Sequence, residues 1–345
     1  MLFVLISPDK FKGTMTALEV ASAMAQGADA HGIKSVQVPL ADGGEGLVDV
    51  FGGKNRVSNV TGPLGEKVDA GWRLEEGRAI IEMASASGLT LIGGALKNDP
   101  MSASSIGTGQ LIAFAIEAGA THIIVGAGGS ACTDGGVGAV EILRPYAPLD
   151  GSRGVLLHVA CDVQTLFLQA AEMFGSQKGA TPIQIQELTK SLSAVAKKYK
   201  DEFMVDVTLL PGSGAAGGFA GGMAALGASI VNGFDLVAEE LDFDSHLRKC
   251  DFVLTGEGSL DQSSFEGKVV GSVLARAKEF AIPCGVIAGR IAGNVKGDFD
   301  SVSLVDQYGS TKAMNEAAKL VESSTYDLLQ DFLLRQSIIK GEEDA

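Results

Sequence analysis

The sequence predicts an α/β protein of two domains: a Rossmann/flavodoxin-like doubly wound domain with a mixed α/β domain inserted into it. Three observations carry this prediction. Both ends of the chain read as short apolar strands alternating with amphipathic helices, the signature of a parallel sheet. The middle instead opens with three short strands at hairpin spacing. Finally, 46 glycines in 345 residues, about twice the usual share, gather at turns between strands and helices.

The N-terminal elements follow in order. Leu2–Ile6 is a short apolar run, read as a buried strand. Thr16 with Glu19 forms a capping box that opens a helix to about Ala30, with Leu18, Ala21, Ala25 and Ala28 on one face. Ser35–Leu40 is the next strand. Near the C-terminus, Asp251–Thr255 is a strand, Ser264–Phe280 a helix, Cys284–Ala288 and Ser301–Val305 strands, and about Lys312–Arg335 a long helix capped by Ser310 or Thr311. Residues 1–55 and 235–345 are therefore expected to share one sheet.

Residues 56–234 form the inserted domain. Arg56–Val60, Lys67–Arg73 and Arg78–Met83 are its hairpin strands, with Gly62-Pro63 as punctuation. A helix near Thr108–Gly119, a strand at His122–Val125, a strand at Val155–Ala160 ending in Asp162, and helices at Val163–Met173 and Ile185–Tyr199 complete it. Ala228–Val231 is too short and broken to read as a strand. The Gly341–Ala345 tail reads as a solvated end.

A net charge of −15 repels nucleic acid and anionic membranes, so neither is an expected partner. A small anion remains compatible with a pocket of backbone amides and a few Lys or Arg. The first residues reach Pro8 and Asp9 too soon to form a signal segment, and no apolar stretch approaches the ~20 residues of a membrane span. A cytoplasmic location is expected. Cys132, Cys161, Cys250 and Cys284 are widely spaced and read as buried thiols, with no disulfide framework and no zinc site. His31, His122, His158 and His246 are scattered, which argues against serine-type hydrolysis.

Five segments hold sixteen of the glycines: Ala41–Gly46, Gly107–Gly109, Gly126–Gly136, Pro211–Gly218 and Thr255–Asp261. A strand–helix turn often uses glycine for geometry alone. These segments, however, carry Ser, Thr, Asp or Glu among the glycines, as amide-lined loops around phosphates and a metal would. Phosphoryl transfer needs Mg²⁺ on one or two carboxylates, cations against the phosphates and a base near the accepting hydroxyl. Asp9, Asp42, Glu45, Asp134, Asp162, Glu257 and Asp261 lie at strand ends or just beyond, and Lys10, Lys12, Lys178 and Lys268 are the nearby cations. No Walker A or protein-kinase motif is present. Gly212-Ser-Gly-Ala-Ala-Gly217 fits G-x-G-x-x-G after the strand-like Phe203–Leu210, with Asp235 at the spacing of a ribose-binding acid. That leaves an NAD(P)-dependent oxidoreductase acting on a small hydroxy acid as the alternative. A non-catalytic binder of such an acid is a third reading, disfavoured by so many carboxylates.

The ordered set of segments resembles the bacterial-type glycerate kinases, which are unrelated to P-loop and protein kinases. The matching segments include Pro8-Asp-Lys-Phe-Lys-Gly13, Ala41-Asp-Gly-Gly-Glu-Gly46, Thr61-Gly-Pro-Leu-Gly65, Ile81-Glu-Met-Ala84, Gly128-Gly-Ser130 with Asp134-Gly-Gly136, Ala160-Cys-Asp-Val163, Gln177-Lys-Gly-Ala-Thr-Pro182, Gly214-Ala-Ala-Gly-Gly218 and Thr255-Gly-Glu-Gly258. The resemblance implies ATP- and Mg²⁺-dependent phosphorylation of D-glycerate at the 2-hydroxyl, two α/β domains, and a site in the cleft between them. It marks Asp9, Lys10, Lys12, Asp42, Glu45, Ser130, Asp134, Asp162, Lys178, Ser213, Glu257 and Asp261 as site-lining.

Roles are assigned to that set and, from the residues themselves, to Arg290 and the glycine loops. Asp162 is the base or a metal ligand, with Glu257 and Asp261 as the other metal carboxylates. Asp9, Lys12 and Lys178 are catalytic, and Lys12, Lys178 or Arg290 pairs with the substrate carboxylate. Gly43 and Gly44, the turn Gly128–Ser130, and Gly212, Ser213, Gly214 and Gly217 contact nucleotide or substrate. The chain is expected to be a monomer or homodimer. It departs from the family in a shortened stretch between Gly138 and Ala160, where Arg144–Gly154 reads as a bare loop, and in Thr133, where the family usually has Asn.

Overall fold

In the computed structural model, which describes residues 2–293 and 295–343, the Thr16 hydroxyl accepts the Glu19 amide at 3.2 Å. The Glu19 carboxylate in turn accepts the Thr16 amide at 2.8 Å. This box satisfies two amides that the first helical turn leaves without partners, and is worth about 1 kcal/mol. The helix Ala17–Asp29 follows it. Among the described residues the strands are β1 Phe3–Ile6, β2 Lys34–Gln37, β3 Arg56–Thr61, β4 Lys67–Glu75, β5 Arg78–Glu82, β6 His122–Gly126, β7 Leu156–Cys161, β8 Ser229–Asn232, β9 Phe252–Leu260, β10 Cys284–Ile291 and β11 Asp300–Ser303.

The chain divides into two units, residues 1–41 with 237–345, and residues 42–236. The first unit holds a five-stranded sheet in the order β11-β10-β9-β1-β2, parallel throughout. On one face, Val20, Ala21 and Met24 of the first helix pack with Leu320, Val321 and Phe332 of the helix Ala317–Glu343. On the other, Val270 of the helix Val269–Glu279 packs with Leu260, Val286 and Ala288. Helices on both faces make the sheet doubly wound. The path from β1 to β2 runs one way across the sheet and that from β9 through β10 to β11 the other. The strand order therefore reverses between β1 and β9.

The second unit is built on a six-stranded sheet, β3-β4-β5-β6-β7-β8. Its first three strands form an antiparallel meander and the last four run parallel. Trp72 of β4 is buried, and its indole nitrogen donates to Ser58 Oγ of β3 at 3.0 Å. The fold is thus the two-domain α/β arrangement that the sequence predicts.

The structure differs from the sequence reading in particular places. The first boundary falls at 41/42 and not 55/56, because the amides of Gly46 and Val48 are bound by Glu82 of β5. The second falls within the helix Gly233–Glu240. Strand β9 runs on to Leu260, held by β10 through Ile291, so Gly256 and Glu257 lie in the sheet and not in a loop. Strand β8 exists because β7 pairs with all four of its residues. Leu304 and Val305, read as strand, begin the helix Leu304–Tyr308.

Neither Ser310 nor Thr311 caps the last helix. Gly309 precedes a short helix Ser310–Asn315, and the long helix starts afresh at Ala317. The stretch Val163–Met173 is loop followed by two short turns of helix. The presumed strand before the Gly212–Gly217 motif is absent, since Phe203 ends a helix and Val207–Leu209 is a 3₁₀ turn. Asp344 and Ala345 of the predicted solvated tail lie outside the described residues. The four cysteines are free and buried, as expected.

Candidate active site

In the first unit the candidate residues gather at the C-terminal edge of the sheet, where β1 and β9 flank the reversal of strand order. Ligands bind at such a reversal in open α/β sheets, because neighbouring connections diverge to opposite faces and leave a crevice. The chain leaving β1 stays beside β9: Ser7 N donates to Leu254 O and Asp9 N to Gly256 O, each at 2.8 Å. Asp9 is thereby buried against β9. Lys10 pairs with it, Nζ to carboxylate at 3.5 Å. Lys12 and Arg290 are exposed, the latter opposite Ser259 near the end of β10.

Glu257 is 8% exposed, and its Oε1 has no hydrogen-bond partner. Burial pushes its carboxyl up to about 7, and Asp9 and Asp261 add to this by repulsion. A hydrogen bond from Ser264 and the Lys268 cation act in the opposite direction. Asp261 begins the 3₁₀ turn Gln262–Phe265 and accepts from Ser263 N at 2.8 Å and Ser263 Oγ at 2.6 Å. These bonds hold its carboxyl below the usual range. Lys268 Nζ donates to Ser263 Oγ at 2.8 Å. A desolvated carboxylate with an unpaired oxygen beside two others calls for a cation, and Glu257 meets that description.

In the second unit the candidates lie at the C-terminal ends of β5 to β8. Residues 42–46 cross these ends in backbone contact. A Cβ on Gly43 would stand 2.9 Å from the Ala160 carbonyl carbon, and one on Gly128 would stand 2.7 Å from Gly44 Cα. Asp42 folds back on its own loop, accepting from Gly44 N at 3.1 Å, while Glu45 is exposed. Glu82, at the end of β5, fixes this segment by accepting from Gly46 N at 3.0 Å and Val48 N at 2.9 Å. Burial raises its carboxyl above the usual value. Asp162 is half-buried just past the end of β7.

The loop after β6 is braced from behind. Lys178 Nζ donates to Ser130 Oγ at 2.9 Å and to Cys132 O at 2.6 Å. Desolvation lowers its pKa, against the pull of Asp134 and Cys132. Asn98 Nδ2 bridges Ala131 O at 3.0 Å and Lys178 O at 2.8 Å. Asp134 is wholly engaged by the protein, accepting from Ser105 N, Ser105 Oγ, Gly136 N and Gly138 N at 2.7–3.3 Å. The Gly212–Gly217 segment packs against the same loop, with Gly135 N donating to Gly217 O at 3.0 Å. Gly214 N is spent on Thr165 O at 2.9 Å, so at Gly214 and Gly217 the glycines answer to neighbouring backbone. Ser213 Oγ and Thr133 Oγ1 are buried without partners.

The sequence-derived set is thus divided. Asp9, Lys10, Lys12, Glu257, Asp261 and Arg290 belong to the first unit; Asp42, Glu45, Ser130, Asp134, Asp162, Lys178 and the remaining glycines belong to the second. The metal trio of Asp162, Glu257 and Asp261 is split likewise. Among the described residues no group of three or more His, Cys, Asp and Glu side chains is arranged to hold a metal ion. Glu82 lies in the quoted Ile81–Ala84 segment but was given no role by sequence, and Asn98 was not singled out. Glu82 carries a signal, a lone acid ending the apolar run Ala79–Ile81, whereas Asn98 carries none. No described helix is long and apolar enough to cross a membrane.

The model of the glycerate kinase family matches residues 4–145 and 147–333. The chain belongs to the glycerate kinase family. It is 40% identical over 346 residues to a glycerate 2-kinase of Escherichia coli K12, covering 89% of this chain and 88% of that one. It is 36% identical to a glycerate kinase of Halalkalibacterium halodurans, covering 94% and 97%. A candidate glycerate kinase 2 from Salmonella typhimurium LT2, of known crystal structure, superposes with a TM-score of 0.82 at 33% identity, covering 97% and 99% of the two chains. The family membership makes this chain an enzyme of that class. The oxidoreductase reading loses its structural support, since its glycine motif lacks the preceding strand and has Ala216 and Gly217 in left-handed conformations.

Proposed function

We propose that this enzyme transfers the γ-phosphoryl group of ATP to the 2-hydroxyl of D-glycerate, releasing ADP and 2-phosphoglycerate. The observation that carries the reading beyond family membership is Glu257. It is a buried carboxyl with one unpartnered oxygen, at the strand-order reversal of a parallel sheet and beside Asp9. That arrangement suits a divalent cation with nucleotide phosphates, because Mg²⁺ takes one or two carboxylates and completes its shell with phosphate oxygens and water. Glu257 and Asp9 are the residues to hold it. When bound, Mg²⁺ supplies neutralisation of charge on the phosphate oxygens.

The remaining work falls to side chains of this chain. Asp162 accepts the proton of the attacking hydroxyl, as a carboxylate at a strand end with solvent access is able to do. Lys12 and Arg290, exposed at the sheet edge, are the cations available to pair with a carboxylate or a phosphate. A cytoplasmic location follows from the same reading, since ATP and glycerate are metabolites of that compartment.

The test is ADP formation from MgATP with and without D-glycerate, followed alongside a nicotinamide absorbance trace, with the product distinguished by phosphorus NMR. Glycerate-dependent ADP and a 2-phosphoglycerate signal are expected. Absence of glycerate-dependent ADP overturns the reading, and a 3-phosphoglycerate product overturns its regiochemistry.

A further inference from the structure

The direction of the Ser130 hydroxyl is dictated by Lys178. An ammonium group has only hydrogens to offer, so Lys178, 4% exposed, must donate to Ser130 Oγ at 2.9 Å. This uses a lone pair of the serine and leaves its own hydrogen with no protein acceptor among the described residues. The backbone amides of Gly128, Gly129 and Ser130 are in the same condition. The hydrogen bonds of this turn run instead through Ala127 N to Ala160 O, Leu89 N to Gly129 O and Ala131 N to Ser87 O.

Gly129 stands at φ +71°, a left-handed conformation that lets successive amides converge into an anion-binding concavity. Gly129 is exposed while Ser130 is 6% exposed, so the turn is open at one end and closed behind. The nearest carboxylate on the loop, Asp134, is occupied by Ser105, Gly136 and Gly138 and does not compete for these donors. Three amides and one hydroxyl therefore present hydrogens without acceptors, backed by a buried cation.

We propose that Ser130 donates its hydroxyl hydrogen to an anionic oxygen of a substrate held on the Gly128–Ser130 turn, and that Lys178 is a positioning residue acting through Ser130. This rests on the kinase reading above and deepens it. Lys178 itself does not touch substrate, because it is buried behind the serine and gives two of its three hydrogens to Ser130 Oγ and the Cys132 carbonyl. The anionic oxygen belongs to the glycerate carboxylate or to a nucleotide phosphate, which share this chemistry.

The experiment is a double-mutant cycle on steady-state kinetics, using Ser130→Ala, Lys178→Met and the pair, with Ser130→Thr as the conservative variant. Wild-type enzyme without glycerate-dependent turnover defeats the kinase reading and is distinct from every outcome below. Given wild-type turnover, Ser130→Ala is expected to lower kcat/KM by about tenfold or more, the loss of a hydrogen bond to a charged group, with the fold retained. Ser130→Thr is expected to retain most activity. A raised KM for glycerate assigns the oxygen to the carboxylate, and a raised KM for MgATP assigns it to the phosphate.

Lys178→Met is expected to cost a similar factor alone and less than about threefold further when added to Ser130→Ala, since the two act as a unit. Should the Met variant not fold, Lys178→Gln, which keeps an N–H donor without the charge, replaces it in the cycle. Unchanged kinetics in Ser130→Ala, or losses that multiply in the double variant, overturn the proposal.

Discussion

Glu82 Oε1 accepts the amide hydrogen of Gly46 at 3.0 Å, and a second bond from Val48 N at 2.9 Å makes this carboxylate the clamp on residues 42–50. Replacing it by alanine leaves two amides unpaired at the end of β5. Hydrogen bonds to charged groups contribute about 1.5–3 kcal/mol, so Glu82→Ala is expected to lower stability by about 2–3 kcal/mol. Limited proteolysis should find new cleavage within residues 42–53. Equal stability and an unchanged cleavage pattern would show that the clamp carries no weight.

The pH dependence of stability is set in part by Glu257. Its carboxyl ionises at about 7, against 4.5 for an unperturbed group, through burial first and then the neighbouring Asp9 and Asp261. Between these two values the folded form retains a proton that the unfolded chain has released. Its contribution is therefore full at low pH, falls as pH rises through that window, and is constant above it. Ser264 and Lys268 limit the cost. Without added Mg²⁺, the Tm of Glu257→Gln relative to wild type should rise between about pH 5 and pH 7.5. A difference that stays flat across that range contradicts the assignment.

Asp134 holds four donors from Ser105, Gly136 and Gly138, joining the loop after β6 to the start of the helix Ile106–Glu117. Asp134→Ala should destabilise by about 3 kcal/mol or more, since several donors lose a charged acceptor together. Urea unfolding measures this directly. A loss under about 1 kcal/mol would mean that water replaces the carboxylate at little cost.

Asp162 has a different task. It is half-buried past the end of β7, and its proposed work is chemical. Asp162→Asn should keep Tm within a few degrees and reduce kcat about 100-fold or more, the usual range for losing a general base. Near-normal kcat in a folded variant would remove it from that role.

The elements legible in the sequence are those whose signal is local. The capping box at Thr16, the hairpin strands between Arg56 and Glu82, and the strands at His122 and Leu156 follow from side-chain periodicity and turn residues within a few positions. Strand β8 and the extension of β9 past Thr255 were not legible. Their extended conformation is supplied by β7 and β10, whose partnership is remote in sequence. The glycine segments were legible as a group, while the reason for each glycine was not: Gly43 and Gly128 are required by Ala160 and Gly44, residues of other elements.

Composition, charge and the ordered glycine and carboxylate motifs by themselves determined the fold class, the enzyme family and the pool of candidate residues, because residue type sets which chemistry is available. Tertiary structure alone decided how those candidates divide. Asp134 and Lys178 look as reactive in the sequence as Asp162 and Glu257. The folded chain consumes the first two in internal hydrogen bonds and leaves Glu257 with an unpaired oxygen. Whether a polar group is spent on its own protein or remains to meet a ligand depends on neighbours that only folding brings near.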